Sequence, residues 1–140
     1  MDERNFPVDL VTPEALLLEG VSSFVAIPAW NGEMGFAFLR APVMVSLGAG
    51  EMRVHMVPSG EIERFVVKGG FAGTDGSHLV VLATRAQRLK DFDSKTLKER
   101  CAELEQRIAE SNAADRERAY LVEELDWLRL ALKVASLRNL

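Results

Sequence analysis

The sequence predicts an α+β protein in which an antiparallel β-sandwich, residues 1–86, is followed by an antiparallel two-helix hairpin, residues 87–140. All ten glycines and all five prolines precede Ser77. Because these residue types interrupt regular structure, the first part must turn often, whereas the remainder can form long uninterrupted elements. Apolar residues alternate along the first part and recur every three or four positions along the second, which are the periods of strands and helices.

The first part contains regularly spaced turn signals with β-rich segments between them. The signals are Glu19-Gly20, Asn31-Gly32, Gly48-Ala49-Gly50, Ser59-Gly60 and Asp75-Gly76. In one segment Met52 and Val54 alternate with Arg53 and His55, which predicts a strand with one buried face. Segment 78–82 is almost continuously apolar, a pattern that fits burial on both faces. No helical pattern separates these strands, which excludes a parallel sheet of the dinucleotide-binding kind.

The second part predicts two helices that are separated near Ser111-Asn112, with Asp93 or Ser94 as the first N-cap. Each helix carries an apolar stripe with alternating spacings of four and three, so the two stripes can pack together. The stripes are Leu97, Cys101, Leu104 and Ile108 on the first helix, and Leu121, Leu125, Leu128, Leu132 and Ala135 on the second.

The second helix also carries another apolar face and a basic strip. The additional face comprises Tyr120, Trp127, Leu130, Val134 and Leu137, and the basic strip comprises Arg118, Arg129 and Lys133. One partner helix cannot cover two opposite apolar faces, and a two-helix hairpin is marginally stable alone. We therefore expect the hairpin to dock on the β part, on another chain, or on each in turn.

Composition excludes several classes of function. Residues 1–84 carry 5 Lys/Arg against 10 Asp/Glu, an acidic balance that argues against nucleic-acid binding and favours a protein partner. No run approaches the roughly 18 apolar residues of a membrane span, so we expect no membrane insertion. The acidic N-terminus is unlike a secretory signal. A single cysteine cannot form an internal disulfide, and with two distant histidines it makes a poor zinc set.

No catalytic constellation is present in the sequence. It has no nucleophile elbow, no phosphate loop of the Gly-x4-Gly-Lys-Ser type and no His-Glu-x-x-His pair. The segment Gly69 to Gly73 is glycine-rich, but no helix start follows it, so we interpret it as a β bend or bulge. His55 and His78 have no nucleophile at a recognisable spacing, and Cys101 fits a buried apolar position. We predict a non-enzyme with no catalytic residues and no metal.

Six short segments, spread in order along nearly the whole chain, form a recognisable pattern. They are Val11-Thr12-Pro13-Glu14 with Glu19-Gly20, Asn31 to Phe36, Ala41-Pro42, Leu47 to Val54, Val67 to Phe71, and Leu82-Ala83-Thr84 before the helices. In this order they resemble the ε subunits of bacterial F-type ATP synthases. The resemblance implies a sandwich of about ten strands and a non-catalytic place in the rotor.

The resemblance also implies partners and a location. In such subunits the β part binds the γ subunit and the polar loops of the c-ring. The helices fold down on the sandwich or extend along γ toward the α and β subunits, where they restrain ATP hydrolysis. A peripheral place on the cytoplasmic face of the bacterial plasma membrane follows, in an enzyme that translocates protons or sodium ions.

Residue by residue, the resemblance points to contact candidates. Glu33 matches the carboxylate that faces the c-ring loops, with a solvated turn residue as the alternative. Ala41 and Pro42 match a segment near γ and the ring, but Leu39-Arg40 replaces the usual Gly-His, so Arg40 either pairs with an acid on γ or is a plain surface charge. The basic strip and Trp127 would contact γ or the α and β subunits in the extended state, against the alternative of a solvated helix face.

Nucleotide binding is not favoured. Some bacterial relatives bind ATP through Ile/Leu-Asp-x-x-Arg-Ala at the start of the first helix, and here Asp93 remains while Thr96 and Leu97 replace the arginine and alanine. Without the guanidinium the phosphate contact is weakened, and helix capping accounts for Asp93, so no cofactor is expected. The alternative to a rotor subunit is a free-standing sandwich that binds a small ligand or peptide, with the hairpin as a dimerisation element.

Overall fold

In the computed structural model, which describes residues 4–38, 41–112 and 116–138, seven strands precede two helices. The elements are β1 (Phe6–Val11), β2 (Leu16–Ala29), β3 (Gly32–Phe36), β4 (Val43–Ser46), β5 (Ala49–Met56), β6 (Ile62–Thr74), β7 (Leu79–Arg88), a 3₁₀ turn (Leu89–Asp91), α1 (Ser94–Glu110) and α2 (Arg116–Leu137). The chain divides into a β unit, Met1–Arg88, and a helical unit, Leu89–Leu140. This division falls two residues beyond the boundary that the sequence suggests.

The strands of the β unit lie in the order β1-β7-β6-β5-β2-β3, and β4 pairs with β6. A further pairing of β1 with β2 closes β1, β7, β6, β5 and β2 into a ring, and β3 lies outside the ring, paired with β2. The described pairings are antiparallel, as predicted, except that β1 and β7 run parallel. These two strands begin and end the unit, so no short turn joins them and no hairpin forces them to be antiparallel.

The predicted count of ten strands is wrong, because the long strands β2, β6 and β7 bend and each contributes to both layers of the sandwich. In β6 the core positions change from odd to even numbers: Phe65 and Val67 are buried before the bend and Ala72 after it. Between them Gly69 and Gly70 have φ of 72° and 109°, which confirms the predicted β bend.

Three of the predicted turns are present, with positive φ at Gly32, Gly60 and Gly76. The turn predicted at Glu19-Gly20 is wrong, because this pair lies inside β2. Gly20 instead makes room for a side chain, since a Cβ there would lie 2.6 Å from the Cε atom of Met56. The same residue type therefore marks a turn in one place and a close approach in another.

The core of the β unit follows the predicted alternation. Met52 and Val54 are fully buried, as expected for one face of a strand. Burial of segment 78–82 on both faces is wrong: Leu79 and Val81 are buried, whereas Leu82 is 52% exposed. Only one side of β7 faces the core at this position. Alternate residues of its apolar run therefore lie in the core and on the outer surface of the sheet.

The helical unit has the predicted stripes and pairing. The buried stripe residues are Leu97, Cys101, Leu104, Leu121, Leu125, Leu128 and Ala135. Ion pairs join the helices at Arg107–Glu117 (2.9 Å) and Arg129–Glu105 (2.8 Å). Neither α1 nor α2, the two helices among the described residues, is long and apolar enough to cross a membrane.

The additional apolar face predicted on α2 is divided between buried and exposed residues. Trp127 and Val134 are buried, whereas Tyr120 and Leu137 are exposed. Within the same unit the ring of Phe92, just before α1, lies 6.3 Å from the Trp127 ring. The segment that follows β7 therefore packs on α2 as part of the helical unit.

Candidate functional site

The outer side of the layer built from β1, β4 and parts of β2, β6 and β7 carries large apolar side chains that solvent reaches. We call this surface the apolar face, and it comprises Val11, Leu16, Met44, Phe71, Val80 and Leu82. Phe71 is 54% exposed and Met44 is 75% exposed. Contiguous exposed apolar surface of this kind marks an interaction site.

Strand register makes the apolar face continuous. Leu16 pairs with Val11, Val11 with Leu82, and Leu82 with Phe71, so these side chains form one row across four strands. Residues paired in register point to the same side of a sheet. A second row, two residues along, places Val80 and Met44 beside the first through their shared neighbour Gly73. The sequence-based predictions did not include this surface. The signal in the sequence is that Leu82 is one residue from Val81 and three from Leu79, which places it on the opposite side of a strand from both.

The predicted contact residues Ala41 and Pro42 lie beside the apolar face. Both are exposed, and Pro42 lines an open groove of about 490 Å³ together with Met44, Val80 and His78. The imidazole Nε2 of His78 lies 3.0 Å from a carboxylate oxygen of Asp9, so the groove has a polar margin. Arg40, the other candidate in this segment, lies outside the described residues.

A row of alternating charges lies on the outer side of the other layer. The Glu33 carboxylate accepts two hydrogen bonds from the Arg53 guanidinium, at 2.9 and 3.0 Å, and this interaction is the largest cause that raises the pKa of Arg53. Glu51 lies 3.3 Å from Arg53 and 3.6 Å from Arg64. We call these four residues the charged ladder. The candidate Glu33 is therefore half of a bidentate ion pair, which its isolated position in the sequence does not indicate.

The four candidates on α2 occupy different environments. Arg118 is half-buried, Lys133 is exposed and Trp127 is buried. Arg129 is paired with Glu105 of α1, and this hydrogen bond raises the pKa of the guanidinium. In this conformation Arg129 contacts its own hairpin, and Trp127 would reach a partner only after the helices rearrange.

The potential nucleotide residue Asp93 occupies the N-cap of α1, with φ −110° and ψ 122°. Its carboxylate accepts a hydrogen bond of 2.8 Å from the hydroxyl of Thr96. Thr96, which replaces the arginine of the ATP-binding pattern, therefore binds the aspartate itself. That the chain binds no nucleotide cofactor stays a prediction.

Chemistry beyond binding has little support in the described parts of the chain. Among residues 4–38, 41–112 and 116–138, no three His, Cys, Asp or Glu side chains form a metal-binding group. Burial raises the pKa of the Cys101 thiol, which makes it a poorer nucleophile at neutral pH.

Comparison with known proteins identifies the family. Residues 5–89 match the family model described as ATP synthase, Delta/Epsilon chain, beta-sandwich domain. The chain belongs to this family. The ATP synthase epsilon chain of Parvibaculum lavamentivorans is 36% identical over 128 residues, covering 91% of this chain and 94% of the relative. That of Mesorhizobium japonicum is 38% identical over 110 residues, covering 79% and 77%.

Solved structures share the fold of this ε chain. A chain in the Euglena gracilis mitochondrial ATP synthase, in its OSCP/F1/c-ring assembly, matches with a TM-score of 0.65 at 21% identity, covering 94% of this chain and 77% of that one. A chain of the Tetrahymena thermophila mitochondrial ATP synthase central stalk and c-ring matches with a TM-score of 0.52 at 14% identity, covering 91% and 94%. As an ε subunit of an F-type ATP synthase, the chain is non-catalytic, and the predicted family and non-enzyme role are both confirmed.

Proposed function

We propose that this ε chain works in the central stalk, where its β unit links the γ subunit to the c-ring and its helical unit restrains ATP hydrolysis. The apolar face is the observation that carries this proposal. Its exposed apolar rows need a protein partner to cover them. The structural relatives come from assemblies described as F1/c-ring and central stalk/c-ring complexes, which supports the same setting here.

The γ contact is assigned to the apolar face on energetic grounds. Fully burying a large apolar side chain contributes about 1.5–3 kcal/mol. Phe71 and Leu82 are already about half covered by their own unit, so covering the rest contributes on the order of 1 kcal/mol each. Six such residues on one surface supply several kcal/mol toward a stable interface, before the costs of association.

The c-ring contact is assigned to Glu33 on β3 and to the loop that follows β3. Ala41 and Pro42 lie in that loop, and the candidate Arg40, which precedes them in the sequence, lies outside the described residues. Because Glu33 is held by Arg53, the polar loops of the ring would meet an oriented ion pair rather than a lone carboxylate. Loss of Glu33 would leave Arg53 in contact with Glu51, and the contact would then lack its oriented outer carboxylate.

Restraint of hydrolysis is assigned to the helical unit, which has its own stripe of buried residues. Extension would uncover these stripes and Trp127, so the extended state needs a partner surface to replace the lost contacts. Arg118, Arg129 and Lys133 would meet acidic loops there, once Arg129 leaves Glu105. Two docked states of similar free energy can be exchanged by a few kcal/mol of differential binding.

The γ contact can be tested with a chain that carries both Phe71→Ser and Leu82→Ser. We expect its affinity for the γ subunit to fall about tenfold or more, since two partly buried apolar anchors are lost. The matched control is Ile62→Ser, which changes an apolar residue of similar exposure on the charged side of the β unit. If calorimetry gives the same affinity for γ with the wild type, the double variant and Ile62→Ser, the apolar face does not bind γ.

The inhibitory role can be tested with a chain that ends at Arg88. Because the β unit has a core of its own residues, this chain should still bind γ and keep the complex coupled. ATPase activity of the reconstituted complex should rise, and unchanged activity would remove the inhibitory role alone. Release of the chain from membranes together with F1, in a wash without detergent, would support the proposed peripheral place at the membrane.

A further inference from the structure

Trp30 is the most exposed aromatic side chain of the described β unit. It follows β2 directly, at the tip of the β2–β3 hairpin, and is 75% exposed. Tryptophan is usually largely buried in folded proteins. An indole that is exposed to solvent at this position therefore indicates a binding partner.

An isolated bridge between the end of β2 and the residue after β4 places Trp30 next to the apolar face. Ala29 forms a bridge with Leu47, and the backbone N–H of Trp30 donates a 3.2 Å hydrogen bond to the carbonyl oxygen of Ser46. Ala29 and Leu47 are buried, so Trp30 and Ser46 lie on the outside. Ser46 is paired in turn with Phe71. The outer row of the apolar face therefore continues across Ser46 to Trp30.

The backbone at Trp30 is closely held before any partner arrives. The Gly48 N–H donates a 2.8 Å hydrogen bond to the carbonyl oxygen of Pro28. A Cβ at Gly48 would lie 2.9 Å from the carbonyl oxygen of Ala29, so the two strands meet here more closely than a larger residue allows. A tryptophan on such a backbone has two side-chain torsions to order, and its immobilisation costs little entropy on binding.

We propose that Trp30 is the anchor residue with which the apolar face binds the γ subunit. This inference rests on the proposed function and names the residue that dominates its γ contact. A buried indole covers about 150–250 Å², against about 800 Å² for one side of a standard interface. Tryptophan is enriched among the few residues that carry most of the binding energy. Continuity with Phe71 through Ser46 assigns it to γ rather than to the ring.

Tryptophan fluorescence of the full chain tests this assignment directly. The chain has two tryptophans, of which Trp30 is exposed and Trp127 is buried. Adding purified γ should shift the emission to shorter wavelength and reduce quenching by acrylamide, because Trp30 becomes covered. The Trp30→Phe chain should show neither change. The same changes in that variant, or a response to isolated c-ring but not to γ, would overturn the proposal.

Affinity measurements separate this inference from the proposed function. Trp30→Ala should weaken γ binding about 30-fold or more, the level of an interface hot spot, while Ile62→Ala should bind as the wild type does. Melting temperatures of both variants check that the fold is intact. If Phe71→Ser with Leu82→Ser loses binding and Trp30→Ala does not, the γ contact stands and the anchor role fails. If no variant changes γ affinity, both fail.

Discussion

Replacing Leu104 by alanine should loosen the helical unit and leave the β unit intact. Leu104 is fully buried in the α1 stripe. Buried Leu→Ala changes cost about 2–5 kcal/mol, with the larger values where the surroundings cannot relax. The described part of α1 buries three side chains, Leu104 among them, so its small core can partly collapse. We expect a loss of about 2–3 kcal/mol.

Hydrogen exchange of the full chain, followed by mass spectrometry, measures this loss locally. At a tenfold change per 1.4 kcal/mol, amides that exchange by opening of the helical unit should exchange roughly 30- to 150-fold faster across 94–110. Amides of β5 serve as an internal reference because they belong to the other unit. Leu137→Ala is the matched control, since this leucine is 72% exposed and surface changes stay within about 0.5 kcal/mol.

Two results would refute the reasoning behind this prediction. Unchanged exchange across 94–110 in Leu104→Ala would show that the buried stripe does not hold the helices together. Equal acceleration of α1 and β5 would show that the two units unfold as one, which removes the basis for a helical unit that moves while the sandwich stays bound.

Three further predictions concern single positions. Gly70→Ala should lower the free energy of unfolding, measured in urea, by about 2–3 kcal/mol or more. The reason is that φ is +109° and a Cβ would overlap the Leu82 carbonyl oxygen. A variant as stable as the wild type would contradict the bend at this position. Glu105→Ala should change the melting temperature of the chain very little, because the ion pair between Glu105 and Arg129 is exposed and exposed pairs contribute little to stability. A large drop in melting temperature would contradict this prediction. Hydrogen bonds from Ser77, first from its backbone N–H and then from its hydroxyl, lower the pKa of the Asp75 carboxyl below its ordinary 3.8. The stability that Asp75 adds is therefore present above pH 3.8 and is lost as the pH falls through the lower pKa of the folded state. An NMR titration of this carboxyl that gives an ordinary pKa would contradict the prediction.

Local patterns in the sequence were sufficient for the two helices and for the strands in which apolar and polar residues alternate clearly. The helix period placed Leu97 and Leu104 in the buried stripe, and alternation placed Met52 and Val54 in the core. These positions depend on neighbours within one element, which the sequence displays directly. Glycine was less informative, because Gly20 accommodates a distant side chain where a turn was expected.

The surfaces that carry the proposed function depend on long-range pairing. The apolar face joins Val11, Phe71 and Leu82 through strand register, and no local pattern brings them together. Likewise, Glu33 and Arg53 are 20 residues apart, yet form a bidentate pair across strands. The resemblance to ε subunits indicated Glu33 as a candidate, but its partner emerged only from the fold.

Oxidative footprinting of the chain, alone and within the assembled complex, tests the central claim most directly. Trp30, Met44 and Phe71 are exposed side chains that hydroxyl radicals modify readily, and Ile62 lies on the opposite side of the β unit. If the apolar face binds γ, the first three should lose reactivity on assembly while Ile62 keeps its reactivity. Continued reactivity of the first three in the complex, with protection of Ile62, would place the γ contact on the charged side and contradict the account.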